Sequence, residues 1–343
     1  MNNLWRITLD TNPEDCNYSC IMCEEHSPYS HFRETLFQQS GTHRRVMPEP
    51  WLDSIFEECH RLGVKEIIPS TMGEPLLYKH FDKIVSLCKQ FGIRINLTTN
   101  GSFPRKTKEE WIETIVPIAS DIKFSLNGST PKTSESIMLK SHWERQITNI
   151  KKTTLFRDEF YEKSGIYCNV TIQLTFLRNN MHELEEIIEL ASNLGIDRIK
   201  GHHLWVHFDE INHLSFRKDK SSRMKWNQLL QSVFQESKVF KNRKGNPIRF
   251  ENFYPLPVEE DESKSIPDSW ECPFLAKELW ISAEGKISPC CAPDDLRKSL
   301  GDFGNIREQT LSEVLHSKEY TDLTHNYKNY PLCKTCVMRK KPQ

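Results

Sequence analysis

The chain has no run approaching ~18 consecutive apolar residues, so a membrane-spanning helix is not expected. It opens MNNLWRITLD, without the basic and then apolar stretch of a secretory leader. Neither sign of charge is in excess: 46 Lys and Arg stand against 47 Asp and Glu. That balance argues against a broad phosphate-binding surface, and a nucleic-acid partner is not expected. There is no low-complexity tract and no internal repeat beyond an alternation of strand-like and helix-like segments. The 343 residues are 37% hydrophobic, too apolar for a disordered chain. A chain of this size buries roughly three quarters of its unfolded surface, enough for one large core and a smaller module. The expectation is a cytoplasmic globular protein with no membrane partner.

Cysteine, by contrast, is plentiful. Eleven occur, at positions 16, 20, 23, 59, 88, 168, 272, 290, 291, 333 and 336, and most fall in two groups near opposite ends. Disulfide frameworks belong to short secreted chains; clustered cysteines in a cytosolic enzyme more often hold metal or perform redox chemistry. Cys59 and Cys88 sit on apolar helical faces and read as core residues, and Cys168 has no evident role.

From residue 4 to about 206, six β-like runs (4–9, 66–70, 94–98, 121–126, 168–177, 198–206) alternate with amphipathic stretches. Leu52, Ile55, Phe56, Cys59 and Leu62 follow helical spacing, as do Phe81, Ile84, Val85, Cys88 and Phe91, and Leu184, Ile187, Ile188 and Ala191. Strands joined by crossover helices imply an α/β fold with a parallel sheet curving into a partial, TIM-like (β/α)6 barrel, with its chemistry on the loops after the strands. Three regions are expected: the barrel over 1–206, a bridging segment over 207–268 with one helix near 222–234, and a small Cys-rich α+β module over 269–343. In that module ELWIS-AEG-KISP predicts a hairpin turning at Gly285, and 310–320 a helix.

Cys16-Asn-Tyr-Ser-Cys20-Ile-Met-Cys23 follows the first strand. Three thiolates in this spacing hold three irons of a 4Fe–4S cluster and leave one iron open to a substrate or cofactor. A structural zinc site is the other reading, and it normally takes four protein ligands.

CxxxCxxC in this position resembles the signature of the radical S-adenosylmethionine (SAM) superfamily, and the resemblance covers roughly residues 4–206. It implies that the open iron binds SAM, and that one-electron reduction cleaves SAM to a 5′-deoxyadenosyl radical that takes hydrogen from substrate. It also implies an electron donor such as flavodoxin or ferredoxin. Thr71-Met72-Gly73-Glu74-Pro75 is similar to the family's GGEP motif, with Met72 in place of the first glycine. By that likeness Glu74 accepts a hydrogen bond from the SAM ammonium and Gly73 permits close backbone approach. Asn100 and Ser125, at the tips of the third and fourth strands, match positions used for the SAM carboxylate and ribose. Met22 stands where the family often has an aromatic residue against adenine.

Cys272, twelve residues, Gly285, four residues and Cys290, followed by Cys333-Lys-Thr-Cys336, resemble the twitch form of the SPASM auxiliary-cluster module. The resemblance implies Cys272, Cys290, Cys333 and Cys336 as ligands of a second 4Fe–4S cluster; a zinc knuckle on the same thiolates is the alternative. Twitch enzymes of this kind include an aminocyclitol dehydrogenase and an aminoglycoside epimerase. A small-molecule, sugar-like substrate is therefore expected, with a ribosomal peptide as the alternative. Cys291, beside a ligand, is the expected hydrogen donor of an epimerase; without that role the enzyme would be a dehydrogenase. His202, His203, Asp121, Gln173 and Arg178 are candidates to line the substrate pocket. A non-catalytic zinc-binding interaction module is the reading from another class.

Overall fold

The computed structural model describes residues 4–70, 72–236, 240–258, 267–292, 294–336 and 338–341. Thr71, the acidic run 259–264 and Pro293 lie outside them. The strands are β1 (Arg6–Leu9), β2 (Ser19–Cys20), β3 (Glu66–Ile68), β4 (Arg94–Thr99), β5 (Ala119–Ser125), β6 (Met138–Leu139), β7 (Asn169–Phe176), β8 (Arg198–His203), β9 (Arg249–Glu251), β10 (Glu278–Ile281) and β11 (Ile287–Ser288). Nine form one sheet in the order β11-β10-β1-β3-β4-β5-β7-β8-β9. Every pairing in it is parallel except β10 with β11. The six expected strands are all present and neighbour one another in chain order. The sheet also runs on past them: β9 comes from the expected bridging segment, and β10 and β11 from the Cys-rich module.

Side chains on a strand alternate between faces. One face carries Ile7, Leu9, Ile67, Ile95, Leu97, Ile122, Phe124, Val170, Ile172, Leu174 and Ile199, all in the main core beneath the helices. The other face lines the lumen and is polar. Arg6 Nε donates to Glu66 at 2.9 Å and its Nη1 to Glu278 at 3.3 Å. Asn96 donates to Glu66 at 3.1 Å, Thr171 to Asp121 at 2.8 Å, and Lys123 bonds Asn96. Arg198 pairs with Asp121 and, at 2.9 Å, with Glu251; Lys200 reaches Glu251 at 3.3 Å. A chain of charged and polar groups therefore crosses eight strands inside the barrel, six of them carrying charges.

The three helices expected from apolar spacing are Pro50–Arg61, Phe81–Phe91 and Leu184–Leu194. The segment 222–234 lies within Lys220–Glu236. The helix expected over 310–320 is two, Leu311–His316 and Lys318–Asn326. Ser317, extended at ψ 155°, ends one and caps the next by accepting from Tyr320 N–H. Among the described residues no helix is long and apolar enough to cross a membrane.

Candidate functional site: two cysteine sets at opposite ends of a polar lumen

Cys16, Cys20 and Cys23 lie where the strands finish, in the loop after β1. Cys20 belongs to β2, which pairs with β6 across Cys20 and Met138. Cys16 Sγ accepts from Tyr18 N–H at 3.5 Å and from Asn100 Nδ2 at 3.9 Å. A second apolar cluster built on Tyr18, Ile21, Ile137 and Met138 packs around Cys16, Cys20 and Met22. Burial pushes the Cys16 thiol up to about 12 and Cys23 up to about 11; Cys20 is raised well above the usual range. The three thiols lie within electrostatic range of one another. They are free, as an iron–sulfur cluster requires, and loading them must release protons.

The stem of this loop is clamped by charge and by steric fit. Glu14 accepts from the Arg45 backbone N–H at 2.6 Å and from its Nε at 2.8 Å. Asp15 takes both arms of Arg44 at 2.7 and 2.6 Å. Glu74 N–H donates to the Asp15 carbonyl at 2.7 Å. Gly73 sits at φ +71°, and a Cβ there would meet the carbonyls of Asn12, Asp15 and Pro13 at 2.5, 2.8 and 2.9 Å. The close approach that needs this glycine is therefore to the cysteine loop.

Glu74 is only 1% exposed. Its carboxylate accepts from Asn100 N–H at 2.7 Å, Thr99 Oγ1 at 2.8 Å and Leu76 N–H at 3.2 Å. Burial raises its pKa to about 7 against those three donors. Asn100 is the hub between this carboxylate and the cysteines: its Nδ2 also reaches Asn17 Oδ1 at 2.8 Å. Gln146, on the helix Trp143–Ser164, ties two strand tips by donating to the carbonyls of Asn100 and Ser125 at 2.6 and 3.2 Å. Ser125 is half-buried on the lumen face, in step with Asp121 and Lys123.

The second set lies at the other end. β10 runs parallel to β1 with Arg6 opposite Glu278 and Leu9 opposite Ile281, so Cys272 precedes the point where the strands start. Gly285, at φ +85°, turns the chain, and a Cβ there would meet Asn305 Oδ1 at 2.5 Å. β11 then returns with Ser288 opposite Trp280, which carries Cys290 back toward the start of β10 and into electrostatic range of Cys272. Burial raises Cys272, and takes Cys290 to about 11 and Cys333 to about 12; the charges of these three and of Cys336 are within mutual range. Cys291 is exposed. Its neighbours in electrostatic range are Cys290, Cys336, Cys272 and the lumen carboxylate of Glu278. A four-residue strand spans about 13 Å, which sets the scale of the lumen between the two sets. Among the described residues no three His, Cys, Asp or Glu side chains gather on a single-ion position.

Of the pocket candidates, Asp121, Gln173 and His202 share the lumen parity, and burial beside Lys200 lowers His202 to about 4. His203 does not: it faces the other way, among Phe176, Trp226 and Tyr254, with its pKa pushed down to about 3 by burial. Arg178 is an exposed loop residue beyond β7. Sequence reasoning passed over Lys123, Lys200, Glu251 and Glu278. Their signal is polar alternation in strands that a parallel sheet would otherwise bury on both faces.

A family model described as the radical SAM superfamily matches residues 13–191, and one described as an iron–sulfur cluster-binding domain, SPASM, matches 272–337. The chain is 22% identical over 341 residues to the tungsten-containing aldehyde ferredoxin oxidoreductase cofactor-modifying protein of Pyrococcus furiosus, covering 94% of this chain and 85% of that protein. The fold resembles that of Streptococcus suis SuiB bound to S-adenosylmethionine, with TM-score 0.65 at 16% identity over 94% of this chain and 67% of SuiB. It also resembles anSMEcpe with bound AdoMet and Cp18Cys peptide, with TM-score 0.62 at 14% identity over 98% of this chain and 89% of that one. The chain belongs to the radical SAM superfamily, as a SPASM-bearing enzyme that uses SAM, a 4Fe–4S cluster and auxiliary iron–sulfur chemistry.

Proposed function

We propose that this enzyme inverts a carbon centre of a polar, sugar-like substrate held in the lumen between the two cysteine sets, with Cys291 returning the hydrogen. Cys16, Cys20 and Cys23 hold the SAM-binding cluster, and Cys272, Cys290, Cys333 and Cys336 the auxiliary one. When bound and reduced, the first cluster and SAM supply the species that removes a substrate hydrogen. Met22, packed with Cys16 and Cys20, offers adenine an apolar, polarizable surface. Asn100 and Ser125 offer polar groups at the strand tips. Gly73 and Glu74 act as positioning residues: they lock the stem of the cysteine loop and the tip of β4.

The observation that carries the reading is Cys291, a residue exposed overall and next to Cys290, whose thiol is held in its protonated form by burial and lies in range of the lumen-facing Glu278 carboxylate. Its S–H hydrogen exchanges with water, so the inverted carbon receives solvent hydrogen. Each turnover leaves a sulfur radical at Cys291. It regains one electron from the reducing partner, a flavodoxin or ferredoxin, and one proton from solvent. Turnover in deuterated water is expected to place one deuterium at the inverted carbon. Cys291→Ala is expected to keep both clusters and hydrogen removal while losing the epimer. A wild-type product two mass units lighter, with Cys291→Ala equally active, would make the enzyme a dehydrogenase instead.

A second reading, modification of a peptide, is favoured by the likeness to anSMEcpe bound to Cp18Cys peptide and to SuiB, also solved with precursor peptide SuiA. Competition between peptides and amino sugars for SAM-dependent hydrogen removal separates the two.

A further inference from the structure

Two arginines, Arg157 and Arg339, are buried outright. Arg157 sits between two carboxylates, at 2.6 Å from both Asp158 and Asp197. Among the described residues Arg339 has no such company. Its Nε donates to the Trp270 carbonyl at 3.0 Å, Nη1 to the Cys333 carbonyl at 3.3 Å, and Nη2 to Pro267 and Trp270 at 2.7 and 2.8 Å. The Tyr327 ring lies 5.9 Å away. Among the described residues no carboxylate lies within ion-pair distance of it.

Carbonyl oxygens satisfy the donors of a guanidinium but do not cancel its charge, and a buried charge without a counter-charge is costly. The anions placed to cancel it are sulfurs. Arg339 follows Cys336 by three residues, bonds the backbone of Cys333, and grips the segment leading to Cys272. Its positive charge is felt at both Cys272 and Cys333. Four thiolates on a cluster carry net negative charge, and one more electron makes it more negative.

We infer that Arg339 is the built-in counter-cation of the auxiliary cluster and raises that cluster's reduction potential. The inference rests on the assignment of Cys272, Cys290, Cys333 and Cys336 to that cluster. It makes Arg339 a positioning and tuning residue rather than a catalytic one, because it touches backbone and acts through charge.

The test is the midpoint potential of the auxiliary cluster, followed by electron paramagnetic resonance in full-length protein carrying both clusters. Arg339→Gln keeps a carbonyl donor and loses the charge; Arg339→Lys keeps both. Arg339→Gln is expected to lower the one-electron reduction constant at least about tenfold, about 59 mV, while Arg339→Lys stays within about threefold of wild type. An unchanged potential in Arg339→Gln with full iron would overturn the inference. So would an equal drop in both variants, or equal loss of auxiliary iron in both, since either would make the role structural. Iron content of Cys272→Ala checks the underlying assignment separately: undiminished iron there would defeat the ligand set, whatever the Arg339 variants do.

Discussion

The loop bearing Cys16, Cys20 and Cys23 is fixed by side chains, whereas the segments bearing the second set are fixed through backbone. Around the first, Glu14, Asp15, Glu74 and Asn100 converge from three places in the chain. Around the second, a hairpin registered against β1 sets Cys272 and Cys290, and a guanidinium gathers the carbonyls of Pro267, Trp270 and Cys333. Carboxylates crowd the first set, whereas the guanidiniums of Arg339 and Arg297 lie in range of the second. A three-thiolate site must keep one iron open for a charged cofactor, so its surroundings have to be rigid. A four-thiolate site is closed, and its surroundings chiefly set its charge.

The largest expected break in this comparison comes from changing Cys16, Cys20 and Cys23 together to Ala. Iron should fall from about eight to about four per chain and SAM cleavage should vanish. Retained cleavage would refute the assignment. Next come the two glycines, which test the ends separately. Gly73→Ala forces a Cβ against three carbonyls at positive φ, a strain on the order of 1–3 kcal/mol, and should cost first-set iron while sparing the second. Gly285→Ala meets Asn305 and should do the reverse. Iron quantified in each glycine variant, alone and combined with the triple substitution, reads the difference.

Glu74→Ala should weaken SAM binding at least about tenfold, because three hydrogen bonds to a buried charge are lost, each worth about 1.5–3 kcal/mol. The second-set potential should not move. Unchanged SAM affinity by calorimetry would make the Glu74 network irrelevant to the cofactor. The smallest effect is in the lumen between the sets. Burial pushes Lys123 down to about 8 from 10.5. The unfolded chain therefore holds that proton to higher pH than the folded one, and its contribution to stability rises between those values. Thermal melts should show wild type gaining on Lys123→Met across that range; parallel curves would contradict the shift.

Much of this was legible in the sequence because it rests on local rules. Period-two and helical spacing located all six core strands and four helices, and Gly285 marked its hairpin. Other features depend on contacts distant in the chain. The helix Trp143–Ser164 escaped notice because the face it buries is polar, with Gln146, Asn149 and Arg157 bonded to strand tips and loops. The place of β10 beside β1 was hidden for a different reason: hairpin spacing says nothing of what its outer edge pairs with. The motif around Glu74 was legible, but its burial and its hydrogen bonds to Thr99 and Asn100 depend on contacts distant in the chain. His203 followed His202 in the sequence, and strand parity separated them.

The central claim is that the two cysteine sets make two different clusters, one open to SAM and one closed. Electron paramagnetic resonance of the reduced protein, with and without SAM, tests it directly in two variants. When Cys333 and Cys336 are changed to Ala, the remaining first-set cluster should shift its spectrum on adding SAM. When Cys16, Cys20 and Cys23 are changed, the remaining cluster should give the same spectrum with SAM as without. A SAM-induced shift in the second variant, or none in the first, would contradict the account.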